Sequence, residues 1–158
     1  LMMARWDLEE CESIICTDLD GDHKAFFPRK PLHQLWYDEE TYFAVDRHDT
    51  MDIYRWTQDG ARLELLAGEG NHIDMSPDRQ WFVTDSRYHR TPVTITLYHR
   101  GEVEPTAVLD SHDFGIPTWK LTAHSNPVFS RDGTQVYFVR PFSETQVGAV
   151  RVDIGEVV

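Results

Sequence analysis

The fold of this chain is predicted by a ten-residue stretch, MSPDRQWFVT at positions 75–84. This stretch aligns without gaps with WYDEETYFAV at 36–45 and with FSRDGTQVYF at 129–138. In each copy an acidic residue and its neighbours supply a tight turn, while the flanking β-branched and aromatic residues favour strands. The alignment therefore predicts a strand, a tight turn and a second strand at three places along the chain.

A second pattern of alternating apolar residues runs into a turn glycine. It ends at Gly21, Gly60, Gly101 and Gly155, so the intervals are 39, 41 and 54 residues. One four-stranded propeller blade occupies roughly 40 to 50 residues, and no helical period of 3.6 residues accompanies the pattern. We therefore predict an all-β chain that forms a β-propeller fragment of about three to four blades.

The repeat also divides the predicted partial propeller domain into blades. Residues 1–32 are predicted as an incomplete blade, 33–70 and 71–123 as complete blades, and 124–158 as a second incomplete blade. A propeller normally closes with at least four blades, because open blade edges expose unpaired backbone groups. We therefore expect the remaining propeller blades to lie outside this chain.

Net charge and cysteine content narrow the choice of partner and compartment. Fifteen Lys plus Arg against 27 Asp plus Glu give a formal charge of −12, which repels nucleic-acid phosphates and anionic membranes. No apolar run approaches the roughly 20 residues that cross a bilayer. The two cysteines provide no disulfide framework, which favours a reducing compartment. We expect no nucleic acid and no membrane as partner, and a cytoplasmic location, with a periplasmic one left open.

Three polar side chains share one position in the repeat. His33, His72 and Asn126 each stand three residues before an aligned stretch, at the start of a predicted innermost strand. His124 precedes Asn126 by two residues and shares its face in a strand. Imidazole and amide groups suit a transition metal such as Mn²⁺ or Zn²⁺, and they equally suit hydrogen bonds to an acidic sugar. The alternative is that these groups only line a wet channel without a ligand.

Several runs of the sequence resemble oligogalacturonate lyase. They are HQLW at 33–36, NHIDMSPD at 71–78 with VTD at 83–85, SHD at 111–113, and TAHSNPVFSRDG at 122–133. The resemblance implies a seven-bladed, TolB-like propeller that cleaves short galacturonides, the fragments of pectin, by β-elimination with a bound Mn²⁺. The Ser-Pro-Asp and Ser-Arg-Asp-Gly turns are common to TolB-like propellers, so the histidines are what point to the lyase.

The resemblance implies a set of metal ligands. It makes His72 and His124 two of the metal histidines, and it places Asn126 where the family has a third. Leu121 stands where the family has a glutamine ligand, and Glu12 stands where it has the arginine proposed as base. No catalytic base is therefore assigned, and we expect Mn²⁺ to bind weakly.

The resemblance also implies contacts with a small acidic oligosaccharide. His33 matches a histidine close to the substrate, and His112 is a further candidate. Arg87 and Arg90 could neutralise a neighbouring acid group of the sugar. The alternative for His112 and the two arginines is an exposed loop residue without such a role.

Three functions are compatible with the sequence. The first is the metal-dependent lyase, which the histidines favour. The second is a non-catalytic TolB-like propeller that binds sugar or protein and has a degenerate metal site, which Leu121 and Glu12 favour. The third is an accessory propeller of a larger hydrolase.

Overall fold

A computed structural model describes the chain over most of its length. The described residues are 2–6, 12–17, 20–21, 23–26, 31–46, 50–86, 90–115 and 124–157. They form fourteen β-strands and no helix, so the predicted all-β class is confirmed. Within these residues there is accordingly no helix of the length and apolarity that a bilayer crossing requires.

The strands form four antiparallel sheets, and in each sheet neighbouring strands are consecutive in the chain. The first sheet contains β1 (Met2–Trp6), β2 (Glu12–Thr17) and β3 (His23–Phe26). The second contains β4 (Pro31–Trp36), β5 (Thr41–Asp46), β6 (Ile53–Thr57) and β7 (Arg62–Ala67). The third contains β8 (Ile73–Met75), β9 (Trp81–Asp85), β10 (Val93–His99) and β11 (Ala107–His112). The fourth contains β12 (Val128–Phe129), β13 (Gln135–Ser143) and β14 (Gln146–Asp153).

These sheets belong to two compact units. Unit 1, Leu1–Gly68, holds the first two sheets, and unit 2, Glu69–Val158, holds the other two. The predicted blade boundaries at 70/71 and 123/124 fall between sheets, whereas the one at 32/33 falls inside β4. The division of the chain into blades stays a prediction.

Each aligned stretch folds as a tight turn with an aspartate cap; Asp78 and Asp132 share one repeat position, and Asp38 stands one position earlier in its copy. Asp38, Asp78 and Asp132 each accept a hydrogen bond through Oδ1 from the backbone N–H two residues ahead, at 2.9, 3.0 and 3.1 Å. At the third turn, hydrogen bonds from Ser130 Oγ and from Thr134 lower the pKa of Asp132 to about 2. The carboxylate thus satisfies backbone donors that the tight turn would leave unpaired.

The two sheets of unit 2 pack face to face. Their shared core is a cluster of buried side chains from β9, β10, β13 and the residue after β14: Val83, Ile95, Leu97, Val136, Phe138 and Ile154. The first strands of the two sheets are linked, since Asp74 Oδ2 in β8 accepts a hydrogen bond from the Phe129 N–H in β12 at 2.7 Å. Successive antiparallel meanders that stack in this way are blades of a β-propeller.

Unit 1 has a core of its own in the second sheet. Tyr42, Ala44 and Trp56 are buried there, with Trp36 and Tyr54 packed against them. The buried indole is also hydrogen-bonded, because Trp56 Nε1 donates to the Ala44 carbonyl at 3.3 Å. Aromatic side chains bury large apolar areas and so stabilise this sheet.

Candidate ligand site at His72 and His124

A single carboxylate fixes His72, the residue just before β8. The His72 backbone N–H donates to Asp85 Oδ1 at 2.7 Å, and His72 Nδ1 lies 2.9 Å from Asp85 Oδ2. Asp85 ends β9 and is buried. A carboxylate only accepts hydrogen bonds, so Nδ1 carries the proton and the lone pair of the ring lies on Nε2. The Asn71 side-chain nitrogen also lies 2.9 Å from this Nδ1. Because an amide nitrogen only donates, this contact is not a hydrogen bond when Nδ1 carries the proton.

The imidazole of His124 lies next to that of His72. The two ring centroids are 5.3 Å apart and the ring planes are inclined by 47°. Two imidazoles that bind one ion through nitrogens about 2.1 Å from it have centroids about 5 Å apart. The observed spacing therefore fits a shared divalent ion, and it also fits two hydrogen bonds to one ligand carboxylate.

Asn126 is close to this pair but is held differently from His72. Its backbone is left-handed, with a φ of 42°, its side chain is exposed, and its Nδ2 donates to the His124 carbonyl at 3.5 Å. Leu121, the other departure from the lyase pattern, lies outside the described residues. In the described part of the chain no group of three or more His, Cys, Asp or Glu is placed to hold a metal.

His112, predicted as a substrate contact, is engaged inside the protein. Its Nδ1 lies 2.7 Å from Asp110 Oδ2 and its Nε2 lies 3.1 Å from Ser125 Oγ. The ring stacks on Phe138, and the side chain is only 1% exposed. These contacts give His112 a structural role, and its assignment to substrate binding stays a prediction.

The remaining predicted substrate residues are His33, Arg90 and Arg87. His33 lies within β4 of unit 1, half-buried, and has a left-handed backbone with a φ of 55°. Arg90 forms an exposed ion pair with Glu69. Arg87 lies outside the described residues. The substrate roles of all three stay predictions.

Sequence reasoning missed the hydrogen-bond partners of His72 and His112. Asp85 had a detectable signal, because it directly follows an apolar strand and the β8–β9 hairpin pairs Ile73 with Thr84, which sets residue 72 against residue 85. Asp110 also had one, since it lies two residues before His112 and so shares its face of β11. Ser125 had none, because its contact with His112 joins residues 13 positions apart that no strand pairing brings together.

Among solved structures, the chain is similar to TolB from Acinetobacter baumannii, which is known from its crystal structure. The two share 15% sequence identity with a TM-score of 0.47, and the match covers 90% of this chain and 46% of the TolB chain. The chain thus spans about half the length of the TolB that it matches. The assignment of the propeller fold rests on the antiparallel sheets described above. No protein-family model matches the chain, and no curated protein matches it.

Proposed function

We propose that this protein binds the carboxylate of an acidic sugar through a divalent ion held by His72 and His124, and that it acts as an oligogalacturonate lyase. The observation that supports this proposal is the pair of imidazole rings of His72 and His124, whose centroids are 5.3 Å apart. Asp85 lies within hydrogen-bond distance of the His72 ring. Lone imidazoles are common, but two neighbouring imidazoles, one of which is hydrogen-bonded to a carboxylate through Nδ1, are typical of a metal site.

The contribution of the chain is the donor set and its orientation. Asp85 accepts the proton of His72 Nδ1 and so orients the His72 ring, as the carboxylate partners of metal-binding histidines do. His124 offers the second imidazole, and Asn126 can add a neutral amide oxygen. Mn²⁺ is the ion that the resemblance implies, and two imidazoles with one amide predict weak binding.

A bound divalent ion would stabilise the negative charge that develops on a uronate when its C5 proton is removed. The base that takes this proton is unassigned, because Glu12 stands where the lyase family has an arginine. We further propose that His33, Arg87 and Arg90 contact the acidic oligosaccharide, as the resemblance implies. Imidazole and guanidinium groups donate hydrogen bonds to carboxylates.

Calorimetric titration of the intact protein with Mn²⁺ tests the metal part of the proposal. We expect weak binding that is lost in His72→Ala and in His124→Ala, and tighter binding in Asn126→His, which adds an imidazole. His99→Ala is the matched control, because His99 also contacts another ring in unit 2, that of Trp81 at 4.7 Å, but lies on β10. If the intact protein binds no Mn²⁺ at millimolar concentration and Asn126→His changes nothing, the metal site and the lyase mechanism are both wrong.

The second candidate is a non-catalytic TolB-like propeller that binds an acidic sugar or a protein. It is favoured by Leu121 and Glu12, which stand where the lyase family has a metal ligand and the proposed base. An assay for the unsaturated product of galacturonide cleavage, by its ultraviolet absorbance, separates the candidates. Binding of galacturonide without any such product would support this second function and contradict the lyase.

A further inference from the structure

A continuous series of hydrogen bonds runs through unit 2 from β13 to the segment that carries His124. Arg140 Nη1 donates to Asp110 Oδ1 at 2.9 Å, and Asp110 Oδ2 lies 2.7 Å from His112 Nδ1. His112 Nε2 in turn lies 3.1 Å from Ser125 Oγ. Because the carboxylate accepts the proton of Nδ1, Nε2 accepts a hydrogen bond from the Ser125 hydroxyl.

Burial decides what this series can do. A serine, a histidine and an aspartate linked in this order resemble the triad of a nucleophilic enzyme. However, Ser125 is only 2% exposed and the His112 side chain only 1% exposed. A hydroxyl so deeply buried cannot reach a substrate. The series therefore acts on the protein, and the residue that it holds is Ser125.

Ser125 is fixed at two points, and His124 is its neighbour in the chain. The Ser125 carbonyl accepts a hydrogen bond from the Val139 N–H at 2.9 Å, while the Ser125 hydroxyl is held by His112. With backbone and side chain both anchored, the peptide that leads to His124 has little freedom. The ring of His124, the residue before Ser125, lies beside the ring of His72.

We infer that Asp110, His112 and Ser125 are positioning residues that set the distance between the rings of His124 and His72. The inference rests on the proposed function only in what these two rings bind. The site then has two independent supports. Asp85 orients His72 from β9, and the buried series orients His124 from β11 and β13. His112 thus acts on the ligand site without touching the ligand.

Ser125→Ala tests the inference because it removes only the hydroxyl at the end of the series. The protein has eight histidines, and proton NMR of the intact protein with labelled histidine observes their rings. We expect the ring protons of His72 and His124 to be close together in the unsubstituted protein and no longer close in Ser125→Ala. The chemical shift of the His112 Nδ1 proton, which is hydrogen-bonded to Asp110, should stay the same. Ser76→Ala is the matched control, because Ser76 is equally buried and hydrogen-bonded but belongs to the turn beyond β8.

A second readout follows the ion. Mn²⁺ is paramagnetic and broadens nearby signals. In Ser125→Ala the broadening at His124 should be lost, the broadening at His72 should remain, and the affinity for Mn²⁺ should fall about tenfold.

If the two rings stay adjacent in Ser125→Ala, the inference is overturned whatever the result with Mn²⁺. If Mn²⁺ broadens neither ring of the unsubstituted protein while Ser125→Ala still separates the rings, the proposed function alone is overturned. If Ser125→Ala does not fold, Asp110→Asn interrupts the same series at its other end and is judged by the same proximity of the two rings.

Discussion

At the scale of single residues, the contrast between His72 and Asn126 explains why one repeat position can hold a ligand better than another. In the aligned repeat Asp85 is the partner of His72, and the equivalent partner of Asn126 is Val139. Asp85 fixes the tautomer and the orientation of its histidine, whereas a valine can do neither. A histidine introduced at position 126 would therefore be a weaker ligand than His72.

We expect Asp85→Asn to weaken Mn²⁺ binding by about 10- to 100-fold, the usual cost of losing the group that orients a metal histidine. The amide can donate to Nδ1 as well as accept from it, so the tautomer is no longer fixed. Calorimetric titration measures the loss. Asp46→Asn is the control: Asp46 is the buried equivalent in unit 1, where it pairs with Arg62 at 3.0 Å. An unchanged affinity in Asp85→Asn would contradict the role given to this carboxylate.

The site was predictable from the sequence only in part, for a physical reason. The register of the repeat identifies residues at equivalent positions, and the resemblance to the lyase family points to His72 and His124. The partners Asp85 and Ser125 come from other strands and loops, so their contacts depend on pairing and packing that one-dimensional spacing does not encode. His112 illustrates the limit, because the same residue in the same motif turned out to be buried against Asp110 and Phe138.

At the scale of strands and turns, two aspartates of the β8–β9 hairpin have opposite electrostatic roles. Burial raises the pKa of Asp74 above its ordinary value, although the Phe129 N–H donates to it across the link from β8 to β12. In the turn, a hydrogen bond from Ser76 lowers the pKa of Asp78. The turn was predictable from the sequence, because an acidic residue recurs in each aligned stretch. The link was not, because it joins two sheets.

We expect Asp74→Asn to raise the midpoint of thermal unfolding at pH 7. The folded state holds the Asp74 proton more tightly than the unfolded state does. The contribution of this group to stability is therefore present below its ordinary pKa of 3.8 and is lost as the pH rises through the folded pKa. Asparagine keeps an oxygen for the Phe129 N–H without a buried charge, so its advantage should shrink as the pH falls below 3.8.

Asp78→Asn should do the reverse in the same measurement. Its depressed pKa contributes stability above 3.8, which is lost as the pH falls through the folded pKa. We therefore include this substitution as the control of opposite sign in the same hairpin. Equal shifts of the unfolding midpoint in both variants would show that burial of Asp74 is not what governs its titration.

At the scale of the whole molecule, stability is distributed over separate cores within the described residues. One cluster surrounds Trp56 in unit 1, and the larger cluster joins the two sheets of unit 2 around Phe138. The repeat predicted which segments form strands, but not which face of each sheet becomes buried. On β13, for example, Val136 and Phe138 are buried while Tyr137 is 37% exposed.

Phe138 is the side chain at which the core and the candidate site meet. It is 2% exposed, belongs to the cluster between the third and fourth sheets, and stacks on His112 with parallel rings whose centroids are 6.1 Å apart. We expect Phe138→Ala to lower the free energy of unfolding by about 3 to 5 kcal/mol, because it leaves a cavity between the sheets. Denaturant unfolding measures this loss. Hydrogen exchange should locate the loss, with protection falling in β9, β10, β13 and β14, the strands that line the cavity.

The control is Leu63→Ala, at a position 47% exposed on β7, which should lower the free energy of unfolding by less than about 0.5 kcal/mol. Wild-type protection of these strands in Phe138→Ala would mean that the sheets of unit 2 are not held together by this cluster.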